Sequence, residues 1–202
     1  MKRITLAWTG ASGMAYGLRL LECLLAAGIR VDLLVTQAAR IVARQELDLT
    51  LAGGSDELAR QLRERYPGLP GTLRVYGREA WFSPVASGSN PADAMVVCPC
   101  TMGSLAAIAH GLADNLIERA ADVILKERRP LILVPRETPL SLIHLRNMTR
   151  LAAAGATILP ANPGFYHRPQ TVQAVVDFIV ARVLDHLAIP HSLMSRWGDE
   201  VE

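Results

Sequence analysis

Three hydroxyl-bearing residues of this chain follow short apolar runs. They are Ser12 after residues 4–8, Thr36 after residues 31–35 and Thr101 after residues 94–98. Each stands at or near the start of a stretch of helical composition, where the first backbone N–H groups lack partners and can face an anion. If the apolar runs are parallel strands, their carboxyl ends meet at one edge of a sheet. The repetition predicts a nucleotide-like site at that edge, to which the hydroxyl of Ser104 would also contribute.

The first of these segments is the turn Gly10-Ala11-Ser12-Gly13. Its two glycines lack a Cβ atom, so a ligand or another part of the backbone can come close. We expect Ser12 to cap the helix that follows and, with the free N–H groups, to face an anion or a polar ring edge. The turn fits neither the G-x-G-x-x-G pattern nor a Walker loop. An ordinary strand-to-helix turn is the alternative.

Two pairs of charged residues could bind a phosphate or move a proton. Arg136 and Glu137 stand side by side after the apolar run 131–134, which suits phosphate binding and proton transfer; a surface ion pair is the alternative. Arg119 and Lys126 are seven residues apart in a helical stretch and therefore share a face. They form either a solvated charged face or a phosphate clamp that reaches across a subunit boundary.

Four other candidate residues are more isolated. Glu46 stands near the end of a helical run, where the macrodipole disfavours a carboxylate, so it has either a special role or a solvated position. Arg182 flanks the apolar stripe of the last helix, where a basic group is often drawn to a buried anion or a partner subunit. Tyr166 offers a phenol donor in a loop bracketed by prolines. Ser87 lies in the small-residue loop 81–89, which either wraps a ligand or connects two elements.

Strand and helix patterns alternate along the whole chain, which predicts the elements that must position these residues. The expected strands are 4–8, 31–35, 73–76, 94–98, 131–134 and 156–159, and the expected helices are 14–27, 37–47, 55–66, 101–110, 115–126, 140–153 and 171–187. This order is typical of an α/β fold with one doubly wound, Rossmann- or flavodoxin-like parallel sheet. We expect a single domain over residues 1–190. A tail, 191–202, carries Trp197 and would dock on a neighbouring subunit.

Composition limits the function classes. Half of the 202 residues are hydrophobic, enough for a full core, and the net charge of +2 gives no electrostatic case for a nucleic-acid partner. No apolar run approaches the length of a membrane span. The run at 4–8 is too short for a signal peptide and is read as the first strand. The cysteine usage predicts a reduced cytoplasmic compartment. Cys98 and Cys100 are too close for a normal disulfide framework, and no second cysteine pair completes a zinc site.

Six segments, taken together, resemble the flavin prenyltransferase family, also called UbiX, and in particular its ubiquinone-pathway type. They are residues 9–13 (TGASG), 98–100 (CPC), 119–123 (RAADV), 125–131 (LKERRPL), 135–139 (PRETP) and 163–170 (PGFYHRPQ). The resemblance covers nearly the whole chain. The combination of LKERRPL, PRETP and PGFYHRPQ is its most specific part.

The resemblance implies an enzyme that transfers a dimethylallyl group from dimethylallyl monophosphate to N5 and C6 of reduced FMN. The product, prenylated FMN, would serve UbiD-type decarboxylases, among them those of ubiquinone synthesis. The family works without a metal and assembles as a dodecamer with sites at subunit junctions. No nucleic acid or membrane is implied as a partner.

The resemblance also implies residue roles by position. It assigns FMN binding to Gly10, Ala11, Ser12, Thr36, Ser87, Thr101, Met102, Gly103, Ser104 and Arg136. It assigns substrate binding to Tyr166, Arg182, Lys126, Arg119, Glu137 and Trp81. Catalysis falls to Glu137, Glu46, Ser12 and Lys126. Thr36 stands where the family usually has serine, but it keeps the hydroxyl. Trp81 would face the prenyl chain, where a π-face stabilises an allylic cation.

Two other functions share the expected fold. The flavin-dependent cysteine decarboxylases carry a segment like residues 111–116, but they expect a catalytic histidine just before the third core strand and a Pro-x-Met-Asn segment. This chain has Ser-Gly-Ser at 87–89 and Pro-Arg-Glu-Thr at 135–138. A non-catalytic flavin-binding protein is the second alternative, although it would have no need for a second phosphate site.

Overall fold

The computed structural model describes residues 2–194 and arranges them as alternating strands and helices. The strands are β1 (Arg3–Trp8), β2 (Arg30–Val35), β3 (Thr72–Tyr76), β4 (Ala94–Cys100), β5 (Leu131–Pro135) and β6 (Thr157–Ile158). The helices are α1 (Met14–Ala26), α2 (Gln37–Leu47), α3 (Ser55–Arg65), α4 (Met102–Ala109), α5 (Leu116–Lys126), α6 (Leu142–Ala153) and α7 (Val172–His186).

The six strands form one parallel sheet in the order β3-β2-β1-β4-β5-β6. Leu6 of β1 pairs with Leu33 of β2 on one side and with Val96 of β4 on the other. The chain therefore winds outward in both directions from β1, and the predicted doubly wound sheet is confirmed. In such a sheet the crevice at the carboxyl ends of the central strands is the usual place for a ligand.

Helices cover both faces of the sheet, because the central strands are apolar on both sides. Leu6 packs on a cluster formed by α1, α2, α3 and α7, whereas its neighbour Ala7 joins the cluster formed by α4, α5 and α6. We call these the α1/α7 face and the α4/α5 face. They matter below because the candidate site residues are divided between them.

Several predicted element bounds were wrong in instructive ways. β4 continues to Cys100 through a cis Cys98–Pro99 peptide, with a register shift against β5. Cys98 and Cys100 consequently pack on opposite faces of the sheet as free, buried thiols, and burial raises the pKa of Cys100 to about 12. α6 begins at Leu142 instead of residue 140, because Ser141 caps it.

Only the beginning of the predicted C-terminal tail is within the described residues. His191 Nε2 lies 3.2 Å from Asp185 Oδ1 at the end of α7. Leu193 packs against the core of its own chain. The rest of the tail, with Trp197, lies outside the described residues, so its docking on a neighbouring subunit stays a prediction.

Candidate functional site

The carboxyl edge of the sheet collects the hydroxyl-bearing turns that the sequence singles out. Thr36 follows β2, Ser12 follows β1, Thr101 follows β4 and Arg136 follows β5, and these strands are successive neighbours. The predicted convergence at one edge is therefore confirmed. Because neighbouring strands lie about 4.8 Å apart, the row from Thr36 to Arg136 spans roughly 14 Å. That length suits an elongated ligand better than a single phosphate.

The turn after β1 is tight for reasons of packing. A Cβ atom on Gly10 would stand 2.4 Å from the Cβ of Ala38 in α2, so only glycine allows this approach. Gly13 has φ +110°, a left-handed conformation that favours glycine. Between them Ala11 is buried and Ser12 is exposed. The turn therefore holds Ser12 at the surface of the carboxyl edge.

Glu46, rather than Ser12, accepts hydrogen bonds from the backbone N–H groups at the start of α1. The prediction that Ser12 caps this helix was therefore wrong. The N-cap residue is Gly13. The Glu46 carboxylate accepts hydrogen bonds from the N–H of Gly13, at 3.1 and 3.0 Å, and from that of Met14, at 2.9 Å. A carboxylate is favourable at a helix N-terminus, which explains its unfavourable place near the end of α2. Glu46 thus lies beside the turn that holds Ser12.

Thr9 joins the turn after β1 to the turn after β4. Its hydroxyl donates to the carbonyl of Pro99 at 2.8 Å and accepts from the N–H of Thr101 at 2.8 Å. The side chain is buried, with 1% of its surface exposed. From the sequence, Thr9 stands out only as part of the motif at residues 9–13, and this role was not predicted. The signal was its place as the last polar residue before the first turn.

We expect Thr9→Val to lower the free energy of unfolding by about 1 to 2 kcal/mol, because it removes both side-chain hydrogen bonds and leaves the partly buried N–H of Thr101 without this partner, while the Pro99 carbonyl keeps only the N–H of residue 9. Urea denaturation at fixed protein concentration would measure the change. Thr72→Val, at an exposed position on the edge strand β3, is the matched control and should change stability by less than about 0.5 kcal/mol. Equal effects of the two substitutions would contradict the role given to Thr9.

Thr36 and Thr101 are N-caps of α2 and α4. Thr36 Oγ1 accepts from the N–H of Ala39 at 3.0 Å, and Thr101 Oγ1 accepts from that of Ser104 at 3.1 Å. Thr101 also donates to Ser104 Oγ at 3.0 Å. Capping does not exclude ligand binding by Thr36, because its hydroxyl retains its hydrogen for a ligand. Beside this cap Met102 is buried and Gly103 is exposed.

The segment after β5 presents Arg136 and Glu137 at the surface of the same edge. Both side chains are exposed. Glu137 Oε1 accepts from the N–H of Thr138 at 3.2 Å, and the Thr138 hydroxyl donates back to the Glu137 carbonyl at 2.8 Å. Neither Arg136 nor Glu137 has an ion pair within residues 2–194, so a surface ion pair between the two is not what the structure shows.

A second group of predicted site residues lies elsewhere, on the α4/α5 face. Arg119 donates to Asp122 at 2.6 Å and to the Ala86 carbonyl at 3.0 Å. Lys126 pairs with Glu127 at 2.5 Å. Both ion pairs are partly exposed and keep these cations at the surface of α5.

The end of α5 points toward the amino edge of the sheet, away from the candidate crevice. Leu116 at the start of α5 donates to the carbonyl of Arg78 just beyond β3, whereas Lys126 closes the helix before β5 begins. Over its 11 residues the helix covers roughly 16 Å. Gly88 lies against Lys126 and Glu127. Ser87, whose hydroxyl bonds Ser89 at 2.8 Å, therefore belongs to this second group.

The remaining candidates are on other parts of the surface. Arg182 of α7, on the α1/α7 face, pairs with Asp185 at 2.8 Å and is half exposed. Tyr166 is 84% exposed in the loop before α7. His167 in that loop stacks on Phe178 with ring centroids 5.4 Å apart. Trp81, 43% exposed, follows β3.

One chain therefore does not bring all the predicted residues together. Ser12, Thr36, Thr101, Arg136 and Glu137 share the carboxyl edge. By contrast, Lys126 lies at the far end of α5 on the α4/α5 face, and Arg182 lies on the α1/α7 face, so the sheet and its packed core separate these two cations. A site that combined Lys126 and Arg182 with the carboxyl-edge group would therefore draw on more than one chain.

A cavity that sequence reasoning missed lies at the β2–β3 end of the carboxyl edge. It has a volume of about 530 Å³, and its polar lining consists of Thr36, Gln37, Arg40, Ser55, Tyr76, Arg78 and Asn115. No carboxylate occurs among the described residues that line it. A signal was available for Arg78, which stands two residues beyond the third strand, at the edge where ligands bind.

Two kinds of feature are absent from the described part of the chain, a metal-binding cluster and a membrane-spanning helix. Between residues 2 and 194 no group of three or more His, Cys, Asp or Glu side chains is arranged to hold a metal ion. In the same part of the chain, no helix has both the length and the apolar character needed to cross a membrane.

Comparison with known proteins identifies the family. A family model described as Flavoprotein matches residues 1–184. The chain is 53% identical over 199 residues to the flavin prenyltransferase UbiX of Pseudomonas aeruginosa, covering 98% of this chain and 95% of that protein. It is also similar to two solved structures. AnUbiX (PadA1), in complex with FMN and dimethylallyl pyrophosphate, is 38% identical with a TM-score of 0.87 and 98% of each chain covered.

The second structure is a dodecameric FMN-dependent UbiX-like decarboxylase from Escherichia coli O157:H7. It is 36% identical, with a TM-score of 0.85, and covers 96% of this chain and 98% of that one. Both likenesses extend over nearly the whole chain. With the identity to the Pseudomonas aeruginosa enzyme, they agree with the six segments noted in the sequence. The chain belongs to the UbiX family of flavin prenyltransferases.

Proposed function

We propose that this chain is a flavin prenyltransferase that transfers a dimethylallyl group from dimethylallyl monophosphate to N5 and C6 of reduced FMN. The observation that carries the proposal is the carboxyl-edge row of Ser12, Thr36, Thr101 and Arg136 with Glu137, in a chain of this family. The row is elongated, as a flavin mononucleotide is, and it ends in an acid–base group. Two relatives of this chain are named flavin prenyltransferase UbiX.

The carboxyl edge fits FMN in its polar groups. The helices α2 and α4 start at this edge with hydroxyl caps, and the adjoining cavity has two arginines and no carboxylate among its described lining residues. The residues that would hold FMN are Gly10, Ala11, Ser12, Thr36, Thr101, Met102, Gly103, Ser104 and Arg136, with Ser87 from a neighbouring chain. When bound, reduced FMN supplies the nucleophilic nitrogen and carbon of its ring.

Release of phosphate from an allylic carbon needs positive charge on the leaving oxygens. Lys126, Arg119 and Arg182 supply that charge in place of a metal ion, and Tyr166 adds a hydrogen-bond donor. In the free chain each of the three cations is paired with a nearby carboxylate. These pairs are partly exposed and therefore weak, so a phosphate can displace them.

The division of these residues between two sheet faces supports a site completed by neighbouring copies. A second chain would bring Lys126 and Arg119 to the carboxyl edge, and Arg182 would reach it from another. One relative with this fold is dodecameric, which supports an assembly of several chains. We infer the same assembly here, with Trp81 facing the prenyl chain.

Glu137 is the group best placed to move the proton lost on ring closure. Its carboxylate is exposed and has one backbone contact, so it is accessible to a substrate. Glu46 accepts three N–H contacts and acts instead as a fixed charge that holds the turn of Ser12. The Ser12 hydroxyl faces the reacting edge, and Lys126 neutralises the leaving phosphate.

The rival functions have less support from the site. Where a cysteine decarboxylase would carry its histidine, this chain has Ser87, Gly88 and Ser89 packed beside Lys126. A flavin carrier would have no use for the separate set of phosphate-binding cations.

The product would serve a UbiD-type decarboxylase in the cytoplasm, in ubiquinone synthesis among other pathways. A test uses a UbiD-type decarboxylase purified without its cofactor. Incubation with this protein, reduced FMN and dimethylallyl monophosphate should restore decarboxylation, and omission of the prenyl donor should not. Equal restoration without the donor would contradict the proposed reaction.

A further inference from the structure

The segment 136–140, which carries Glu137, is held mainly at its two ends. All of its residues are exposed. Within residues 2–194, its hydrogen bonds are the two local contacts between Glu137 and Thr138. At one end, the carbonyl of the buried Pro135 accepts from the N–H of Ala161 at 3.0 Å. The place of Glu137 along the carboxyl edge therefore depends on how firmly the other end, at the start of α6, is fixed.

A capping box fixes that other end. Ser141 Oγ accepts from the N–H of His144 at 3.2 Å, and His144 Nδ1 accepts from the N–H of Ser141 at 3.3 Å. The third helical position of such a box normally holds Glu or Gln, because its side chain must accept a hydrogen bond. A histidine meets this requirement only through a ring nitrogen that carries no proton. The contact with the backbone therefore requires the neutral ring with its proton on Nε2.

Packing adds little to the first turn of α6 within one chain. Leu142 and Ile143 are exposed by 61% and 69%, and Leu140 before them by 43%. The first buried side chain of the helix is Asn147. The elements that α6 packs against, α4 and β6, carry no charged side chain, and no carboxylate within residues 2–194 pairs with His144. The capping box is therefore the main contact that fixes this turn.

We infer that His144 is a positioning residue for Glu137. Its Nδ1 holds the backbone at Ser141, four residues after Glu137, and so limits where the carboxylate lies at the carboxyl edge. The inference rests on the proposed role of Glu137 as the group that moves the proton lost on ring closure. The site residues implied by the resemblance do not include His144, which acts here through the backbone and not through contact with flavin or donor.

Amide hydrogen exchange and single-turnover rates of the full-length protein test this role together. We expect His144→Ala to speed exchange of residues 136–145 about fivefold, the effect of losing one helix cap. The rate of prenyl transfer at saturating reduced FMN and donor should fall by a similar factor. His144→Gln keeps an acceptor at the same position and should restore both quantities to within about twofold of the parent.

His110→Ala is the matched control, because His110 lies at the opposite kind of helix end. It is the C-cap residue of α4, and its Nδ1 is 2.8 Å from the carbonyl of Ala106. Its replacement should change neither the exchange of residues 136–145 nor the rate.

A double-mutant cycle separates positioning from a general loss of structure. If His144 acts through Glu137, His144→Ala should cause no further loss of rate in a chain that already carries Glu137→Gln. The inference is overturned if the two losses multiply, if His144→Ala leaves the exchange of residues 136–145 unchanged, or if His144→Gln fails to restore the rate. An inactive parent protein would overturn the proposed function and the inference with it, whereas an active parent with unchanged exchange would overturn the inference alone.

Discussion

Replacing Glu137 with glutamine should lower kcat for prenyl transfer by about 10²- to 10³-fold while leaving the affinity for FMN unchanged. The reason is that glutamine keeps the size and polarity of the side chain but cannot accept a proton, and a positioned general base contributes about this much. Single-turnover measurement of the adduct, beside flavin titration, separates the two quantities. Glu137 is exposed, so folding should be unaffected.

Glu79→Gln is the matched control, since Glu79 is another exposed glutamate near the carboxyl edge. It should leave kcat within about twofold of the parent. Unimpaired turnover of Glu137→Gln would remove Glu137 from the mechanism, and a parallel loss of FMN binding would make it a structural residue.

Mixed oligomers should regain activity that their parent variants lack. Lys126→Met removes a phosphate-binding cation on the α4/α5 face and should cost about 10²- to 10³-fold in kcat, as Glu137→Gln does on the carboxyl edge. If each site takes Lys126 from one chain and Glu137 from another, some sites in a mixture contain neither substitution. Coexpression in equal amounts should leave roughly a quarter of the sites intact.

The control mixes either variant with the doubly substituted chain, Lys126→Met with Glu137→Gln. No site in that mixture can be complete, so activity should stay at the level of the single variants. Absence of recovery in the first mixture would mean that both residues act from the same chain, which would contradict the separation of the two faces.

The carboxyl-edge group could be predicted because its signals are local. Ser12, Thr36 and Thr101 each follow an apolar run and precede a helical one. If those runs are parallel strands, their carboxyl ends lie at one edge of the sheet. The order of the strands was not needed for this step. It was needed to see that Thr36 and Arg136 lie three strands apart, and no local pattern contains that order.

Two local predictions were wrong, the cap of α1 and the end of β4. The sequence around Ser12 is a reasonable N-cap signal, but Glu46, more than thirty residues later, satisfies the start of α1 instead. The unfavourable place of Glu46 at the end of α2 was the available clue. The continuation of β4 through Pro99 was missed because proline is rare within strands.

The division of the cations between two faces was beyond sequence reasoning for a different reason. Spacing put Arg119 and Lys126 on one side of a helix, which is correct, and left open a clamp across a subunit boundary. Which face of the sheet that helix covers depends on tertiary packing. The structure resolves this, since α5 and α7 contribute to different hydrophobic clusters.

The most direct test of the central proposal is the mass of the flavin product. The protein is mixed anaerobically with chemically reduced FMN and dimethylallyl monophosphate in buffer freed of metal by a chelator, and the released flavin is analysed by mass spectrometry. We expect a flavin heavier than FMN by one prenyl unit, formed only when protein and donor are both present. Absence of any adduct with either the monophosphate or the diphosphate donor would contradict the assignment of this chain as a flavin prenyltransferase.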